Sequence, residues 1–126
     1  MFKWGSTKVQ GDAAEDRALR HLQQQGLRLL ERNYRVARGP GARGGEVDLI
    51  MRDPRDGTLV FVEVRARRGN AHGGAAASVT PAKQRRLIYA AQHYLLRWRR
   101  MPPVRFDVVL IESAGPVWLQ GAFDAN

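Results

Sequence analysis

Glu46-Val47-Asp48-Leu49-Ile50-Met51 and Val60-Phe61-Val62-Glu63-Val64-Arg65, joined through Asp53-Pro54-Arg55-Asp56-Gly57, read as the two strands of one hairpin. Side chains alternate between faces along a strand, so parity assigns each residue a side. Val47, Leu49 and Met51 share one side with Val60, Val62 and Val64, and that apolar side is expected to face the core. This choice selects a register with Asp48 opposite Glu63 and Glu46 opposite Arg65. Like charges directly across a strand pair are destabilising, so Asp48 and Glu63 call for a compensating partner. A shared divalent cation is the simplest. The plainer alternative is a solvated sheet face on which each acid meets an arginine such as Arg43 or Arg67, with Arg65 and Glu46 as an ordinary cross-strand pair.

Outward from the hairpin, an amphipathic helix is expected from Gly11 or Asp12 to Gln25, closed by Gly26, with Glu15, Ala18, Leu19 and Leu22 along one stripe. Glu15 is then either a third acid beside the buried stripe or the third helical residue of a capping box begun by Asp12. A short strand is expected over 33–38, followed by a mobile glycine-rich segment over 39–45. Residues 69–77 read as a loop of small residues. Thr80-Pro81 announces a second helix, threonine as N-cap and proline at the first helical position, with Leu87, Ile88, Ala91, Tyr94, Leu95 and Trp98 as its apolar stripe. Pro102-Pro103 ends it, Val104 opens a further strand, and 116–119 forms an edge strand. The order is α-β-β-β-α-β, an α/β (α+β) layered domain with a mixed sheet flanked by helices.

The 126 residues suit a single domain over 1–126, with 1–10 and 120–126 expected to be flexible. The chain has no cysteine, which excludes disulfides and thiolate zinc sites. No apolar run is long enough for a bilayer, and Gly5, Ser6, Thr7 and Lys8 interrupt the N-terminus where a signal peptide would be continuous, so a cytoplasmic protein without a membrane partner is expected. Lysine and arginine outnumber the acids 21 to 12. That excess creates a positive field suited to polyanions, DNA first and RNA as the alternative.

Hard cations such as Mg²⁺ or Mn²⁺ take oxygen ligands, often one or two carboxylates plus waters and phosphate oxygens. Asp48 and Glu63 offer that pair on strands, and Glu15 could approach as a third. A cation so held polarises a phosphodiester and lowers the pKa of its bound water. Lys83, Arg85 and Arg86 cluster at the start of the second helix, where the dipole already favours phosphate, and Arg43 could meet a backbone phosphate from the glycine segment. Each of these has an ordinary reading as a solvated charge. His21, His72 and His93 lack metal-ligand spacing, and no serine sits in a nucleophile elbow. Phe2, Trp4 and Trp118 are candidates for a homodimer contact.

Gly44-Gly45-Glu46-Val47-Asp48-Leu49-Ile50, Phe61-Val62-Glu63-Val64-Arg65 and Val79-Thr80-Pro81-Ala82-Lys83-Gln84-Arg85-Arg86-Leu87 resemble the YraN-like proteins (uncharacterised protein family 0102). Ala14-Glu15, Asn33-Tyr34-Arg35 and Arg105-Phe106-Asp107-Val108-Val109 fit the same pattern, so the resemblance spans residues 11–112. That family is similar to the restriction-endonuclease-like superfamily with its PD-(D/E)XK signature, which includes Holliday-junction resolvases. The resemblance implies a restriction-endonuclease-like core and an Mg²⁺-dependent endonuclease acting on DNA, branched or otherwise structured DNA included. It places Asp48 and Glu63 at the signature acids, Glu15 at the helical glutamate, and the Val64 carbonyl among the metal ligands. Arg67 joins Arg43, Lys83, Arg85 and Arg86 as DNA contacts. Two departures stand out: no proline precedes Asp48, and Arg65 holds the signature lysine position. Arginine stays protonated and cannot act as a base, so either Arg65 serves as a fixed cation or Lys83 supplies the ammonium. The alternative is a nucleic-acid-binding module, or an interaction factor, of the same fold without turnover.

Overall fold

The computed structural model describes residues 3–67 and 79–125. The elements are α1 (Lys3–Gln24), β1 (Arg28–Val36), β2 (Gly45–Arg52), β3 (Leu59–Ala66), α2 (Pro81–Leu95), β4 (Val104–Glu112) and β5 (Gly115–Phe123). The expected loop over 69–77, with His72, falls outside the described residues. Among the described residues no helix is long and apolar enough to cross a membrane.

The strands form one sheet in chain order, β1-β2-β3-β4-β5. Neighbours are antiparallel except β3 and β4, which run parallel and are joined through α2. The three antiparallel connections and the single helical crossover follow from connection length: a short link reverses a strand, whereas a parallel return needs a crossover. At the β2–β3 turn, Gly57 adopts a left-handed φ of 79° and its N–H donates to the Asp53 carbonyl at 2.8 Å. The whole is an α+β architecture consistent with a restriction-endonuclease-like core.

Both sheet faces are buried. Ala14, Ala18 and Leu22 of α1 pack on Leu49, Met51, Val60, Val62 and Val109. On the other face Leu87, Ala90, Ala91 and Tyr94 of α2 cover Ile50, Phe61, Val108 and Leu110. The expectation of one apolar and one polar hairpin face is therefore corrected: Ile50 and Phe61, assigned by parity to the polar side, are fully buried beneath α2. Val47 also departs from parity, since it packs with the α2-side cluster while Leu49 and Met51 pack with α1.

Several boundaries move. Helix α1 begins at Lys3, not at Gly11 or Asp12, so Asp12 is interior and the capping-box reading of Glu15 is overturned. Strand β1 begins at Arg28, five residues before the expected start. Residues 120–123 belong to β5 instead of a frayed end, with Phe123 stacked on Phe106 at 5.2 Å. Gly45 lies in β2 and is far from loose: a Cβ there would sit 2.5 Å from the Arg86 carbonyl oxygen and 2.7 Å from the Ala90 nitrogen. Helix α2 crosses β2 this closely because position 45 has no side chain. Its start follows the expected pattern, with the Thr80 hydroxyl accepting from the Lys83 N–H at 3.2 Å and Pro81 in the first turn.

Candidate metal and phosphate site

The site begins with a strand opening. Pairing of β2 with β3 runs from Arg52 with Leu59 to Leu49 with Val62 and then stops. Strand β3 stays with β4 to Ala66, paired with Ile111. Continuing the β2–β3 register by one residue sets Asp48 against Glu63. Where the ladder fails, the Val64 N–H still needs an acceptor, and the Asp48 carboxylate takes it at 2.8 Å. Val64 thus meets Asp48 through its N–H.

Asp48 and Glu63 lie close enough for each to shift the other's ionisation. Burial is the main reason Glu63 is raised to about 8, and the Asp48 charge adds to it, while Lys83 and Arg65 pull the other way. Burial likewise raises Asp48, opposed by the Val64 N–H. The Glu63 side chain is only 3% exposed, and its Oε2 lies 3.6 Å from Arg65 Nη1 and 3.8 Å from Lys83 Nζ. Its Oε1 is buried without a hydrogen-bond donor from the rest of the protein. Such an atom needs either a proton shared with Asp48 or a cation.

Glu46 belongs to the neighbouring cluster. Its Oε1 accepts from Lys83 Nζ at 3.1 Å and from Arg86 Nη2 at 2.8 Å, and its Oε2 is 3.7 Å from Arg35. Burial pushes Glu46 up, yet Lys83, Arg86 and Arg35 together hold it below its ordinary value. The expected pairing of Glu46 with Arg65 is therefore replaced: the α2 cations sit over Glu46, and Arg65 turns to Glu63. Lys83 bridges the two acids, Glu46 and Glu63, from the first turn of α2.

Glu15 approaches from α1. It lines a cleft of about 580 Å³ together with Asp12, Asn33 and Arg35. Burial and then the Asp48 charge raise it, against the Arg32 guanidinium, whose Nε lies 3.5 Å from Oε1. Glu15 thus senses Asp48 but is held by Arg32. Among the described residues, no three acidic or histidine side chains converge as ligands around one point. The geometry is a carboxylate pair with a third acid at its margin.

The structure brings together Asp48, Glu63, Arg65, Lys83 and, through Glu46, Arg86. Arg43, Arg85 and Arg86 share a separate recess. Arg67 is placed elsewhere, 3.8 Å from Glu112 on β4, with its side chain mostly buried. His93 Nδ1 lies 2.6 Å from the Tyr34 hydroxyl, and His21 meets Trp118 edge-on. The Trp118 indole N–H is tied to Asp107 at 2.8 Å, which makes Trp118 part of the fold; Phe2 and the Trp4 side chain lie outside what is described.

One residue escaped the sequence reading. Asn33 is the only described non-glycine residue with a positive φ, 55°, a conformation asparagine tolerates better than most. It sits between the pairs Arg32 with Leu49 and Tyr34 with Val47, level with Asp48, and lines the same cleft as Glu15. Its signals were its place in the Asn33-Tyr34-Arg35 match and an asparagine inside an otherwise charged and apolar strand.

A family model described as "Uncharacterised protein family UPF0102" matches residues 14–111. A UPF0102 protein of Albidiferax ferrireducens is 64% identical over 121 residues, covering 96% of this chain and 91% of that protein. One from Methylibium petroleiphilum is 60% identical, covering 96% and 98% respectively. The matched span includes Glu15, Asp48, Glu63, Arg65 and Lys83. With a model match over most of its length and relatives of this similarity, the chain belongs to the UPF0102, or YraN-like, family.

Proposed function

We propose that the protein is a metal-dependent phosphodiesterase that cuts DNA, with Mg²⁺ or Mn²⁺ held by Asp48 and Glu63. The observation that carries this reading is the Asp48–Glu63 pair, a buried Glu63 whose Oε1 lacks a donor beside a half-buried Asp48. These residues fit a hard cation: two carboxylates on adjacent strands suffice for Mg²⁺, which keeps several waters. Such an ion supplies Lewis-acid polarisation of the phosphodiester and a more acidic water.

The chain's own groups have distinct tasks. Asp48, pinned by the Val64 N–H, presents a fixed oxygen. Glu63 must give up its proton to bind the cation, and Lys83 and Arg65 make that easier. Arg65 remains charged throughout and is suited to steady negative charge on the phosphate. Glu15, facing the cleft, can orient a water toward Asp48. The net charge of +9 draws in the polyanion.

A second reading is a nucleic-acid-binding module of the same fold without turnover. Its support is specific: Lys83 and Arg65 already stand within 4 Å of Glu63, placing positive charge where a metal would otherwise be needed. Incubation with duplex and branched DNA in Mg²⁺, Mn²⁺ or EDTA separates the two. Metal-dependent cutting lost in Asp48→Asn supports the hydrolase. Salt-sensitive binding without cutting, unchanged by Asp48→Asn, supports the module and overturns the hydrolase.

A further inference from the structure

On the outer side of Glu46, the β1–β2 connection and the first turns of α2 enclose a recess of about 250 Å³ lined by Arg38, Arg43, Arg85, Arg86 and Tyr89. Beside it along α2 lies a second groove of about 540 Å³ that shares Arg38, Arg85 and Tyr89 and is also lined by Asp124. The Arg38 guanidinium lies over the Tyr89 ring, 4.9 Å from its centroid. Only Arg86 of the four arginines has an acid partner among the described residues, and that is Glu46. Arg86 is also incompletely used: its Nε is buried with no acceptor.

Four guanidinium groups gathered with one ion-paired carboxylate, Glu46, and Asp124 only in the adjoining groove repel one another, and a buried N–H without an acceptor is costly. An anionic oxygen entering the recess answers both. Arginine's planar donors suit phosphate, and an aromatic face beside a phosphate site suits a nucleobase. The recess is concave and small, so it admits one nucleotide that has left the stack and not the convex surface of intact duplex.

We infer that this Arg38–Arg43–Arg85–Arg86–Tyr89 recess is a subsite for one unpaired nucleotide, its phosphate held by the arginines and its base laid against Tyr89 in place of Arg38. The inference rests on the nucleic-acid half of the reading above and is independent of whether the chain cuts. It names a structural preference: DNA with a frayed, flapped or branched strand next to the carboxylate pair. Glu46 connects the two regions, because Arg86 and Lys83 share its Oε1. A phosphate that draws Arg86 away leaves Lys83 as the nearest partner of Glu46.

The test is fluorescence anisotropy of the full chain in EDTA, using a labelled blunt duplex and the same duplex carrying a single-stranded tail. The tailed DNA is expected to bind about tenfold tighter. Tyr89→Ala should erase that advantage while leaving affinity for blunt duplex unchanged, and Tyr89→Phe should retain it. Equal losses on both DNAs with Tyr89→Ala, or no loss on either, overturn the subsite. If the wild-type chain binds neither DNA at low salt, the nucleic-acid reading falls with it. If it prefers the tail but never cuts with Mg²⁺ or Mn²⁺, the subsite stands and only the hydrolase falls.

Discussion

Replacing Glu63 with glutamine separates a shared proton from a structural contact. With Glu63 raised from an ordinary 4.5 to about 8, the folded chain holds a proton that the unfolded chain releases earlier. The stabilisation is full below the ordinary value, declines as pH rises, and is gone above about pH 8. Each pH unit of that interval is worth about 1.4 kcal/mol, so the loss between about pH 5 and pH 9 is at most about 5 kcal/mol. Glutamine has the shape of the protonated acid, and its amide N–H can donate to Asp48 as the shared proton does. Wild type and Glu63→Gln should therefore unfold alike near pH 5. By about pH 9 the variant should be more stable by about 2–5 kcal/mol, a gap of roughly 1–2 M in the urea midpoint. Groups remote from the Asp48–Glu63 pair cancel in the difference. Parallel pH profiles for the two would refute the shared proton, and with it the claim that Glu63 is an uncompensated buried acid.

Metal binding should follow the same proton. Because the pair must lose its proton to take a cation, Mg²⁺ or Mn²⁺ should raise the wild-type melting temperature more at about pH 9 than at about pH 6, and should not raise that of Glu63→Gln, by thermal-shift measurement. Arg65→Lys returns a titratable ammonium to the strand, and a gain in metal-dependent cutting in a gel assay would identify Arg65 as the brake on turnover. Gly45→Ala puts a methyl against the Arg86 carbonyl and the Ala90 nitrogen. Helix α2 must then shift, at a cost of about 1–3 kcal/mol in chemical denaturation and with weakened DNA binding through Lys83 and Arg86. Asp107→Ala should cost about 3–5 kcal/mol in the same assay, because it strips a buried carboxylate from its partners and leaves Arg105 unpaired.

The hairpin was legible because its constraint is local. Six valine, leucine and methionine positions of one parity fix the β2–β3 register whatever covers them, and the observed pairs keep it. Thr80-Pro81 was legible for a similar reason, since a cap and a missing N–H act within one turn. What parity cannot show is a second helix. Ile50 and Phe61 read as neighbours of a polar strip until α2 lies over them. The α1 start was missed because Gly11 is a poor helix former, and a helix that runs through it owes its continuity to context beyond local propensity. Arg38 and Arg43 share the β1–β2 connection, but Tyr89 belongs to α2, and the three meet only in the folded chain. Glu46 was given the wrong partner for the same reason: strand register knows nothing of the cations that α2 lowers onto it.

Two buried acids in this sheet show why burial alone does not mark a functional carboxylate. Asp107 is fully buried, yet its oxygens accept from Arg105 at 2.9 and 3.0 Å, from the Trp118 indole at 2.8 Å and from the Gly121 N–H at 2.9 Å. Those donors close the irregularity in the β4–β5 ladder between Phe106 and Val108, so Asp107 is spent on structure. Glu63 is buried almost as deeply but has an oxygen with no donor, a second acid, Asp48, beside it, and cations held at 3.6 and 3.8 Å, beyond hydrogen-bond length. A fold that can saturate one carboxylate with four donors has the means to saturate another. That it leaves Glu63 facing Asp48 across an open ladder, with Glu15 and the left-handed Asn33 at the rim, is the arrangement a site needs if something outside the chain is to complete it.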